Sequence, residues 1–154
     1  MTFKPPYWHH DNIKFPDEEI KILKSEMSSR SEFLSEKDPR KHQVTTFFVD
    51  QRIRTEKKFN SRYDQIVEDI VKNVGLYRMV KYQYQYWAQL YFQNHKHNPH
   101  QHSRKIYEEE RKYEELIMSW VHFLDVPKQK YFRFLDNDGN FLVPNEQSSG
   151  DIIV

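Results

Sequence analysis

Four of the eight histidines of this chain fall in the eight-residue run His95 to His102, HKHNPHQH. Neutral imidazole is the commonest protein ligand for Fe, Zn, Cu and Ni near neutral pH, so this clustering points to a metal site. His100 and His102 are two residues apart, so on an extended backbone both rings leave the same face and converge on one ion. His95 and His97 share that spacing, but Pro99 lies between the pairs and stops one regular strand from running through all four. We take His100 and His102 as the metal ligands and His95 and His97 as the lesser choice. The second pair directly precedes a charged insertion and the next strand, where the mouth of a barrel belongs. The plain alternative is a loop whose histidines bind nothing. His9 and His10 lie in a polar N-terminal tail and His42 is isolated, so none of them is a candidate. His122, within SWVHFLDVP, reads as a packed or hydrogen-bonded sheet residue.

Other arrangements carry less chemistry. Asp136, Asn137, Asp138 and Gly139 suggest a calcium loop at first sight, but the acidic spacing and late glutamate of an EF-hand are missing. Asp-Gly between two apolar runs is instead a hairpin signal. The carboxylates from Glu108 to Glu115 alternate with Lys and Arg and read as a solvated face. Three glycines in the whole chain leave no phosphate-cradling loop.

The elements that must hold the histidines follow from hydrophobic period. Pro16 and an acidic first turn open a short helix over about Asp17 to Met27, with Ile20, Leu23 and Met27 on one face. Gln43 to Val49 reads as a strand. Tyr63, Ile66, Val67, Ile70, Val71 and Val74 keep helical spacing; Ser61 with Asp64 resembles a capping box and Gly75 sits where a C-terminal cap belongs, so this helix should pack on a sheet. From Val80 to Gln93 the period becomes two, with tyrosines at 82, 84 and 86 on one face and glutamines on the other; Trp87 and Tyr91 interrupt the polar side. After the histidines, SRKIYEEERKYEEL is a charged insertion. Ile117 to Val126, Tyr131 to Leu135, Phe141 to Val143 and Gly150 to Val154 read as strands, the middle two joined by LDNDGN.

The chain has 154 residues and 37% hydrophobic content, enough for one modest core, so a single domain over 1–154 is expected. Its parts are a polar arm with a short helix (1–40), a strand plus packing helix (43–79) and a β-rich core (80–154). Lys and Arg number 24 against 23 Asp and Glu, so no basic field favours a nucleic acid partner. Cysteine is absent, which rules out disulfides, zinc thiolates and thiol chemistry. No signal-like or bilayer-spanning apolar run occurs, so a soluble cytoplasmic protein without a membrane partner is expected.

In order, YWAQLYF, NPHQHS, SWVHFLDVP, a hairpin and SSGDIIV resemble the iron(II)- and 2-oxoglutarate-dependent dioxygenases, in particular the prolyl-hydroxylase-like branch of bacteria and phages. The resemblance covers about Tyr86 to Val154. It implies an α+β fold with a double-stranded β-helix core of jelly-roll or cupin-like type, and N-terminal helices packed on the sheet. It also implies Fe(II) as cofactor, 2-oxoglutarate as co-substrate, and C–H hydroxylation of a small-molecule or peptidyl substrate. His100 would be the first iron ligand, and His102 would stand where the usual facial triad has its carboxylate. The family's distal histidine and its 2-oxoglutarate-gripping arginine would fall after Val154, so a truncated or incomplete member is expected. Its last strand would offer an open edge to another copy or a partner chain. Two other classes compete: a non-catalytic metal-binding barrel serving assembly or interaction, and a cupin-like metalloenzyme that uses no 2-oxoglutarate.

Overall fold

The computed structural model describes residues 7–31, 44–45, 58–73, 84, 86–91, 118–136 and 138–154. In chain order the elements are β1 (His9–Asn12), α1 (Asp17–Ser31), β2 (Val44–Thr45), α2 (Asn60–Asn73), β3 (Gln89–Leu90), β4 (Val121–His122), β5 (Phe134–Leu135), β6 (Phe141–Leu142) and β7 (Asp151–Ile153). They fall in two compact units, Met1–Phe15 with Asn98–Val154, and Pro16–His97. The described strands form three small antiparallel sheets and no closed barrel.

In the first unit, Asp151–Ile153 is the middle strand of a sheet ordered β1-β7-β4. All three of its residues are buried, as expected of a strand covered on both faces. Val121 and His122 pair with Ile153 and Ile152 on one side, and His9, Asp11 and Asn12 pair with Ile153, Ile152 and Asp151 on the other. Two corrections follow. The polar N-terminal tail supplies a strand, and the C-terminal strand is not an edge, because both of its sides are paired. The ladder runs past β1 at both ends: Trp8 and Val154 exchange backbone hydrogen bonds of 3.0 Å, and Ile13 N donates to Gly150 O at 2.8 Å.

The same unit holds the β5–β6 hairpin, with Phe134 opposite Leu142 and Leu135 opposite Phe141. Its turn is the Asp-Gly turn read from the sequence. Gly139 has φ 85°, and Asp136 accepts the backbone amides of Asp138 at 2.9 Å and Asn140 at 2.7 Å. The amide of Asn140, ahead of the others, holds the Asp136 carboxyl below its ordinary pKa.

In the second unit, α1 buries the expected stripe of Ile20, Leu23 and Met27. At about 1.5–3 kcal/mol for each fully buried side chain, that stripe outweighs the weak intrinsic propensity of a serine-rich helix end. The helix continues four residues beyond the expected Met27, to Ser31. In α2, Tyr63, Ile66, Val67 and Ile70 are buried with Phe59 just ahead of the helix. The helix begins at Asn60, which puts Ser61 inside its first turn rather than at the cap, and Asp64 accepts the hydroxyl of Tyr84 instead of closing a capping box. Tyr86 donates to Asn60 and lays its ring 4.6 Å from that of Tyr63. Arg62 forks onto Glu19 at 2.5 and 3.3 Å, tying α2 to α1. Val44 pairs with Leu90 and Thr45 with Gln89, and α1 lies against both strands. Of the strand expected over 80–93, the described residues 84, 86–88 and 91 are irregular and only Gln89–Leu90 is strand; the rest of the strands expected over 43–49 and 80–93, and the Gly75 cap, lie outside the described residues.

Candidate functional site

Among the described residues of the first unit, Asp151 is a heavily engaged polar side chain that joins two strands. It follows Gly150, whose φ of +99° is a conformation that favours glycine. A Cβ there would meet Asn12 Oδ1 at 2.7 Å and Lys14 Cγ at 2.9 Å, so the strand entry admits only glycine without displacement. The turn aims the Asp151 carboxylate at β1. Oδ1 accepts Asn12 Nδ2 at 2.6 Å and lies 3.2 Å from His9 Nε2, while Oδ2 accepts the Ser148 amide at 2.7 Å. Burial works against the charge, but the hydrogen bonds from Asn12 and Ser148, with His9 beside them, prevail and hold the carboxyl below its ordinary pKa. This geometry makes Asp151 a clamp between β7 and β1.

On the far side of β7, His122 lies opposite Ile152. Its Nε2 is 2.8 Å from Ile13 O, and since a carbonyl can only accept, Nε2 carries the proton. Its ring meets Phe15 edge-on at 4.9 Å. Burial pushes its pKa down and the bond to Ile13 offsets part of that, so the imidazole is neutral at physiological pH. His122 is thus the packed, hydrogen-bonded sheet residue that the sequence suggests.

His95, His97, His100 and His102 lie outside the described residues. Among the described residues no three His, Asp or Glu side chains group as metal ligands. Sequence reasoning passed over His9, and the signal that marks it is remote: it lies in register with the strand that begins at the single Gly-Asp pair of the sequence, Gly150 and Asp151. Among the described residues no helix is long and apolar enough to cross a membrane. No protein-family model, curated protein or solved structure matches the chain.

Proposed function

We propose that the chain is an Fe(II)- and 2-oxoglutarate-dependent oxygenase that hydroxylates a C–H bond of a small-molecule or peptidyl substrate. The observation that carries this reading is the antiparallel pairing of two motif segments that resemble the family: SWVHFLDVP contributes β4 and SSGDIIV contributes β7, with the hairpin between them in sequence. NPHQHS precedes both, in the order the resemblance requires.

The donor chemistry fits iron. His100 and His102 would hold it through two neutral imidazoles, with His95 or His97 able to add a third nitrogen. Bound iron and 2-oxoglutarate supply oxygen activation coupled to decarboxylation. The chain's own part is to fix the imidazole geometry. Asp151, clamped by Asn12 and Ser148, and His122, anchored on Ile13, keep rigid the sheet that the SWVHFLDVP and SSGDIIV segments form.

An anaerobic titration of the purified chain with Fe(II) and 2-oxoglutarate tests the reading. The expected result is a visible charge-transfer band that saturates with iron and disappears in His100→Ala and His102→Ala. Folded wild-type protein that gives no band, or an unchanged band in both variants, overturns it.

A further inference from the structure

The β5–β6 hairpin is apolar on both faces, whereas a hairpin with one solvated face alternates apolar with polar residues. On its inner face Phe132 meets Phe123 edge-on at 5.7 Å and Phe134 at 5.0 Å, and Phe134 stacks on Tyr7 at 5.5 Å, with Leu142 beside them at the margin. The alternation that turns those rings inward turns Tyr131, Arg133 and Leu135 outward, and Phe141 and Val143 across from them. Tyr131 is 67% exposed, Leu135 47%, Phe141 52% and Val143 47%. A contiguous apolar face of this kind on a short two-stranded ribbon marks an interaction site.

We infer that this outer face is where a second copy of the chain docks, the two hairpins packing face to face and antiparallel about a two-fold axis. Charge selects that occupant. Lys128 and Lys130 lie at the open end of the hairpin, with the acid Glu146 beside them, and Asp136 and Asp138 lie at its turn, so the ribbon carries net positive charge at one end and negative charge at the other. Under a two-fold axis each basic end meets the partner's acidic tip. A ligand of one sign would be repelled at one end.

The single charge within the apolar face is already prepared for burial. The Arg133 guanidinium lies 4.0 Å over the Phe141 ring, and a stacked, weakly hydrated guanidinium is less costly to cover than an ammonium. The ribbon is also preorganised. Asp136 fixes the turn, and Gln147 braces the open end by bonding both backbone groups of Phe132, at 2.9 and 2.8 Å. Less ordering entropy is then lost on association. The inference stands independently of the oxygenase reading.

Sedimentation equilibrium of the full chain tests it. Wild type is expected to approach twice the 19.0 kDa chain mass as concentration rises. Phe141→Asp and, separately, Leu135→Asp should remain monomeric with unchanged far-UV circular dichroism, both side chains being exposed. Lys128→Glu and Asp138→Lys should each weaken the dimer by roughly threefold to fivefold, and the double variant, which restores opposite charges across the axis, should recover most of that loss. A wild-type chain that stays monomeric throughout overturns the inference. So does a dimer that both apolar-face variants leave intact, or a charge pair whose effects add instead of cancelling.

Discussion

Asn12 and Asp151 are separated by 139 residues in the chain and joined by a 2.6 Å hydrogen bond from the amide nitrogen to Oδ1. They also pair in the β1–β7 ladder, so side chain and backbone fasten the same point. Asn12→Ala leaves a largely buried carboxylate short of one donor, and a loss of about 1–3 kcal/mol in unfolding free energy is expected. His9→Ala should cost less, below about 1 kcal/mol, because the His9 side chain is 37% exposed and solvent screens its contact with Asp151. Urea denaturation of the two variants checks the ranking; equal losses would show that the Asn12 bond is not the principal clamp.

Stability should fall in acid in two stages. The folded pKa of His122 lies below its unfolded value of 6.5. Between those two values the unfolded chain binds a proton that the folded chain refuses, so stability declines as pH drops from about 6.5 and the penalty is complete below the folded pKa. Asp151 is a depressed carboxyl: its contribution is present above 3.8 and is lost as pH falls through the lower folded value. Denaturation midpoints measured against pH should show both limbs in the wild type. His122→Gln should flatten only the upper limb, and Asp151→Asn should reduce only the lower one, to which the depressed carboxyls of Asp136 and Glu19 also contribute.

Where the signal was local, the sequence was legible. Ile20, Leu23 and Met27 marked α1, the Tyr63 to Ile70 spacing marked α2, and the Asp-Gly pair marked the hairpin turn, because each of these patterns is completed within a few turns of chain. His9–Asn12 was not legible. HHDN has no apolar alternation, and it is a strand because β7, some 140 residues away, supplies a ladder and a carboxylate for it. The same distance explains why β7 read as an edge: a strand's place in a sheet is decided by its partners. The four clustered histidines were the most visible chemistry in the sequence and lie outside the described residues, so the metal reading rests on their types and spacing.

The two positive-φ glycines among the described residues should respond unequally to alanine. Gly139, at φ 85°, has open space around its missing Cβ, so Gly139→Ala carries only the left-handed backbone cost of about 1–2 kcal/mol. Gly150, at φ +99°, adds steric overlap with Asn12, whose amide is already held by Asp151. Gly150→Ala should therefore be the more destabilising by at least about 1 kcal/mol and should lower the protection of the β1 amides in hydrogen exchange. Equal costs at the two sites would mean that the Asn12 side chain moves aside freely.

Gln147 offers a change of sign that a cavity or packing defect would not produce. It is buried, its Nε2 donates to Phe132 O and Pro144 O at 2.8 Å each, and its Oε1 accepts Phe132 N at 2.9 Å. Gln147→Glu keeps the acceptor and removes both N–H donors, so an ionised carboxylate would face two carbonyls in a buried site. A protonated glutamate regains one donor. The folded pKa of that glutamate should therefore rise above the unfolded value of about 4.3, which makes the variant's deficit relative to wild type smallest at low pH and progressively larger as pH climbs through the folded pKa. A destabilisation of roughly 1–2 kcal/mol at low pH, growing at pH 8, is expected in urea titrations, whereas Gln147→Met should lose stability by an amount that does not depend on pH. A Gln147→Glu deficit that is constant with pH would show that water reaches the site and solvates the charge.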